Sequence, residues 1–145
     1  MKYTITLFLF VMSIIVSLNG CATPLTSIQK REYKEYQARG IALEEKKPVL
    51  GALLGLLPGI GSFYVGEFGP GVVNLLLWPA SILWDPISGY EGSLSINYFA
   101  TKQVVNSNMR KELKRLDEEL FLKTVTNEDY IRQKRDIEAR YSTES

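Results

Sequence analysis

The sequence predicts a mainly α fold in three parts: a signal peptide, an apolar membrane helical hairpin, and an amphipathic C-terminal helical pair. Three observations carry this reading. Charge is sharply segregated: residues 48–101 hold no Lys or Arg and only Glu67, Asp85 and Glu91 as acids. Residues 22–47 hold six cations and four anions, and residues 102–145 hold ten and nine. Apolar residues of the last segment recur every three or four positions, the period of a helix. The first twenty residues combine a positive start with an apolar run.

At that N-terminus Lys2 supplies the charge, and residues 5–16 are apolar apart from Thr6 and Ser13. A run of roughly a dozen apolar residues suits a secretory signal and is too short for a mature span. Directly after it comes Cys21, the only cysteine of the chain. An unpaired thiol in an exported chain has no partner for a disulfide. The stretch Leu18-Asn19-Gly20-Cys21 resembles the bacterial lipobox. That resemblance implies cleavage between Gly20 and Cys21, which makes residues 1–20 the signal peptide, and acylation of Cys21 with palmitate-type chains. Several acyl chains hold a protein stably, because each buried methylene contributes about 0.8 kcal/mol. Ala22 in the second mature position implies the outer membrane, with the chain facing the periplasm. Membrane lipid is thus the first expected partner.

Residues 21–145 suffice for one small domain. Once Lys2 of the 17 Lys+Arg is removed, 16 cations face 16 Asp+Glu. Zero net charge argues against nucleic acid as a partner. The absence of histidine removes the commonest general base and metal ligand.

Residues 21–47 read as a polar tether with a short helix over 27–39, where Ile28, Tyr33 and Tyr36 stand among charges and Gly40 stops it. The apolar block follows at 48–86. Pro48 suits a first helical turn, and residues 49–57 are apolar all round. Pro58-Gly59-Ile60-Gly61 interrupts them. A second apolar helix is predicted over 71–84, after the turn Gly66-Glu67-Phe68-Gly69-Pro70. Helices apolar on every side need a large core or lipid, and a chain this short lacks such a core. Their lengths, about 14 and 21 Å, fall short of the roughly 20 residues of a straight span. Two arrangements follow: a kinked two-span hairpin continuing through Pro58 to Gly66, or a wedge entering one leaflet. Gly51, Gly55 and Gly59 recur every four residues, a spacing that lets helices approach closely within the hairpin or between copies. Trp78 and Trp84 suit the lipid–water boundary. Residues 85–89 read as an exit loop, with Asp85 and Glu67 as solvated turn residues.

Residues 57–77 resemble the two-transmembrane-helix domain family of small bacterial proteins, through the Gly59/Gly61 pair, Phe63-Tyr64, Gly66, Gly71 and the aliphatic run after it. The likeness implies a short first helix leading through a turn built on Gly61, Phe63, Tyr64 and Gly66 into a second helix. It implies topology more than activity.

The last segment, 93–141, is predicted as a helical hairpin. Ser93 caps a helix over 94–122, striped by Val105, Met109, Leu113, Leu116 and Leu120. Thr126 with Asp129 fits a capping box, opening a helix over 127–141 with Tyr130, Ile131, Ile137 and Tyr141. Such a pair buries its stripes antiparallel. Residues 113–137 resemble the SHOCT module, through Leu116, Leu120, Thr126, Glu128, Tyr130, Lys134 and Ile137, which implies oligomerisation or docking.

No phosphate-binding loop, dinucleotide fingerprint or zinc spacing is present. The expectation is therefore no cofactor, no metal, no catalytic residue and no enzyme. It is a membrane-anchored lipoprotein of the bacterial cell envelope, acting as a structural or interaction protein on itself or an envelope partner. A membrane-active effector, of permeability or phage-exclusion type, and an accessory subunit of an envelope transporter are the alternatives.

Overall fold

Helix α1, Ser27–Ala38, opens on a complete capping box in which Thr26 and Gln29 exchange side-chain-to-backbone bonds. It ends where Gly40 takes a positive φ of 68°. The computed structural model describes residues 24–143, and these are mainly α-helical with no strand. The expected signal peptide and the lipid-attachment residues Gly20 and Cys21 lie outside the described residues. Five further α-helices follow: α2 (Pro48–Leu54), α3 (Ile60–Tyr64), α4 (Phe68–Leu76), α5 (Asp85–Phe121) and α6 (Asn127–Tyr141), with a 3-10 turn at Ala80–Leu83 before α5.

The apolar block is more broken than its composition suggests. The first apolar helix, expected over 49–57, stops at Leu54. Gly59 stands at a φ of 75° as the N-cap of α3. A left-handed residue cannot continue an α-helix, so the kinked span through Pro58 to Gly66 does not form. The second helix, expected over 71–84, starts earlier at Phe68 and ends at Leu76, ahead of Pro79. No helix among the described residues is long and apolar enough to cross a membrane. The exit loop expected at 85–89 is instead the first turn of α5, which tolerates Pro86 there. Ser93 is therefore no N-cap. It lies buried inside α5, its hydroxyl donating to the Gly89 carbonyl at 2.7 Å. The long helix runs through the boundary expected between residues 86 and 93.

The chain forms two compact units, one containing Glu45–Ile96 and the other Leu25–Glu44 with the chain from Asn97 onward. In the second unit α1, the latter part of α5, and α6 bury Leu25, Tyr33, Tyr36, Tyr98, Val105, Leu116 and Ile137. This is ordinary amphipathic packing, apolar inside and charged outside. The turn between α5 and α6 passes through Lys123 at a φ of 56°. Thr126 caps α6 by accepting the Asp129 amide, as the sequence predicts. The reciprocal half of the box differs: the Asp129 carboxylate accepts from the Thr126 hydroxyl instead of the cap backbone.

One polar knot ties α1 to α5. Glu32 accepts hydrogen bonds from Tyr36 at 2.8 Å and Tyr98 at 2.6 Å, and pairs with Lys102 at 3.2 Å. Burial pushes the Glu32 carboxyl up. Its bonds from Tyr98, Tyr36 and Lys102 outweigh that, and hold it below the ordinary 4.5. Burial, and next the bond to Glu32, push the Tyr36 phenol up to about 12. The depressed Glu32 contributes stability that is present above pH 4.5 and lost as pH falls through its lowered value. Glu32→Gln should thus cost about 1–3 kcal/mol at pH 7. Urea titrations should find the gap between native and variant narrowing below pH 4.5.

Candidate membrane-facing site

Unit Glu45–Ile96 is inverted relative to a water-soluble core. Every buried residue in it is Gly, Ser, Asn or Asp. Its large apolar side chains are exposed or half-buried, among them Leu53, Leu56, Phe68, Leu76, Trp78 and Leu83. The interior is built from backbone contact. An added Cβ on Gly51 would lie 2.7 Å from the Ser93 hydroxyl and nearer still to the Gly89 carbonyl. A Cβ on Gly55 would strike the Pro86 backbone, and one on Gly61 would lie 2.7 Å from the Gly55 Cα. Helices that touch at this distance leave no inward room for side chains, so Leu, Val and Phe point out.

A polar cluster fills what space remains. Asp85 and Ser62 are fully buried, and Asn74 nearly so. Asp85 Oδ1 accepts from the Ser62 hydroxyl at 2.5 Å and from Asn74 Nδ2 at 2.8 Å. Asn74 also donates to Ser62 Oγ at 3.0 Å. Its own Oδ1 accepts from the Trp84 indole at 2.8 Å. The cluster thereby joins α3, α4 and the start of α5, together with Trp84 at the end of the 3-10 turn. Asp85 Oδ2 and Ser81 Oγ lie buried with no hydrogen-bond partner among the described residues.

The predicted glycines are only partly brought together. Gly51 and Gly55 pack on the first turns of α5, whereas Gly59 leaves that helix and meets the Gly71 carbonyl. Of the predicted turn residues, Gly61, Phe63 and Tyr64 belong to α3, and only Gly66 forms the turn, at a φ of 86°. Phe63 lies across Gly71 and 6.1 Å from the Phe68 ring. Tyr64 accepts the Lys47 amide at 2.9 Å and carries Lys46 over its ring. Glu67 is half-buried.

Asp85 overturns its reading as a solvated turn residue: it is the hub of the cluster. Ser62, Asn74 and Ser81 escape the sequence reading as well. Their signal is that each is a lone polar residue in an apolar run, where a polar group must turn inward if lipid lies outside. Among the described residues no group of three or more His, Cys, Asp or Glu is placed to hold a metal. Comparison with protein-family models, curated proteins and solved structures finds no match.

The close contacts make a graded expectation. Gly55→Ala pushes a methyl into backbone and should cost on the order of 3 kcal/mol. Gly66→Ala meets nothing within 4 Å. It should cost only the left-handed strain, about 1–2 kcal/mol. Both tryptophans of the chain lie in this unit, so denaturation followed by their fluorescence measures the two variants.

Proposed function

We propose that the chain is a lipid-anchored envelope protein whose Glu45–Ile96 unit embeds in one leaflet, leaving a water-exposed helical arm for docking. Its role is non-catalytic: it presents that arm at the membrane surface to a protein partner. The observation that carries this reading is the inversion of the unit, with small and polar residues inside and large apolar residues outside. An apolar surface of that extent is a membrane or protein contact in any soluble setting. Small residues at helix crossings are how helices pack where lipid is as apolar as leucine.

Dimensions favour entry into one leaflet over crossing. Helix α2 has 7 residues and α4 has 9. At 1.5 Å each these are about 10 and 13 Å long, less than half of a hydrocarbon core of about 30 Å. Trp78 and Trp84 then lie near the head groups, where indoles favour the boundary. The anchor rests on the lipobox resemblance at Cys21.

Reconstitution of the native protein in vesicles with brominated acyl chains measures tryptophan depth directly. The expected result is strong quenching by bromine at the upper acyl positions and weaker quenching by bromine near the bilayer midplane. Equal quenching with and without bromine would refute embedding. The anchor is tested separately by labelling cells with radioactive palmitate. Cys21→Ser should abolish both label and processing, and unchanged label would remove the anchor from the account.

A further inference from the structure

Asp85 is fully buried at the start of α5 and has no ion partner among the described residues. Residues 48–101 contain no Lys or Arg to supply one. One of its oxygens is served, since Oδ1 accepts from Ser62 and Asn74. The other is not: Oδ2 has no hydrogen-bond partner among the described residues. The local backbone explains why. Pro86 carries no N–H, and the amides of Ile87 and Ser88 both go to the Trp84 carbonyl. One turn earlier in the chain Ser81, 1% exposed, also buries its hydroxyl oxygen without a partner among the described residues. Glu67 lies within electrostatic reach of Asp85, but as an acid it supplies no counter-charge.

A buried carboxylate needs a counter-charge, because bonds from neutral groups replace only part of its hydration. A proton on Oδ2 would remove the charge, but its O–H would be a new buried donor, and Ser81 Oγ is not bonded to Oδ2. A cation instead draws on the lone pairs of both oxygens. The donors are hard oxygens with no nitrogen or sulfur, a set that favours alkali and alkaline-earth ions over transition metals. One carboxylate balances one charge, whereas calcium takes about six to eight oxygens, several of them from carboxylates. The surroundings of Asp85 are tight. A Cβ on Gly55 would lie 2.6 Å from its carbonyl carbon, and one on Gly61 would lie 3.1 Å from its carbonyl oxygen. Close packing of this kind favours a small ion. We propose that Asp85 Oδ2 and Ser81 Oγ hold a sodium ion inside Glu45–Ile96. The ion is the counter-charge that the chain itself does not provide. It ties the 3-10 turn to the start of α5, and through Ser62 and Asn74 to α3 and α4. The inference goes beyond the docking role above, and it holds whether lipid or protein covers the exposed leucines.

Trp84 reports on this site, because its indole donates to Asn74, which donates to Asp85. In the full-length Trp78→Phe protein, held in detergent micelles, Trp84 is the sole tryptophan. Sodium chloride is exchanged against choline chloride at constant ionic strength. The expected result is a saturable change in Trp84 fluorescence, with broadening of the sodium NMR line. Potassium should act only at higher concentration. Ser81→Ala removes one ligand and should weaken sodium binding about tenfold. Asp85→Asn removes the charge and should abolish both responses, with circular dichroism checking that the variant stays helical. Should Asp85→Asn unfold, Ser81→Ala decides alone. Fluorescence and line width that ignore sodium overturn the proposal, as does a response that survives the substitutions undiminished. A response to pH with none to sodium assigns the site to a proton and overturns it too. Equal action of potassium overturns the choice of ion.

Discussion

Backbone-to-backbone contact inside Glu45–Ile96 is the constraint on which the rest depends. Gly51 meets Gly89, Gly55 meets Pro86, and Gly61 meets Gly55, each without room for a Cβ. Large side chains have only the outside left to them. The apolar exterior is therefore a geometric consequence of how the helices cross, and not a failure to bury leucines. In water such an arrangement would forgo most of the hydrophobic stabilisation that a domain of this size needs. In an apolar medium that loss disappears, and close van der Waals contact and internal hydrogen bonds become the favourable terms. The proposed membrane setting follows from this balance.

The same constraint explains Asp85. Removal of its carboxylate from water is tolerable only where bonds replace hydration. Ser62 and Asn74 supply them at one oxygen, and Asn74 in turn fixes the Trp84 indole. Because the glycine contacts bring α3, α4 and the start of α5 together, three polar residues distant in sequence converge on one point. The cluster then holds helices that are individually too short to be stable alone. Elsewhere the logic is reversed: Glu32 is served by two phenols and a lysine in a unit whose core is aromatic and aliphatic.

Legibility in the sequence follows the same division. The C-terminal helices were readable because their stripe obeys the helical period. The last one, Asn127–Tyr141, coincides with its expected bounds, and Thr126 caps it. Helix α1 was readable from Tyr33, Tyr36 and Gly40. In the apolar block, periodicity carries no facing information, because almost every residue is apolar. Boundaries there are set by single residues: Gly59 in the left-handed region stops what composition would continue. Asp85 looked like a turn residue because Asp-Pro favours turns in water. The same pair also opens a helix, since Pro fits the first turn and an acid favours the N-terminus. What decides between them is the glycine contact at Gly55, a tertiary feature that no local pattern contains.

Helix α5 carries both packing rules in one continuous element. Its first turns bury Asp85, Gly89, Gly92 and Ser93, and its later turns bury Tyr98, Val105 and Leu116. Inward residues before residue 97 are small, whereas Tyr98, Val105 and Leu116 join the polar Thr101 on the inward face beyond it. Averaged over 37 residues, such a helix is neither amphipathic in the ordinary sense nor apolar enough to span. Each half nonetheless has a definite inside. The charge pattern changes at the same place, for Lys102 is the first cation after residue 47. Two independent properties of the sequence, size of the inward residues and onset of charge, thus mark one boundary. The proposed membrane setting for Glu45–Ile96 accounts for both together.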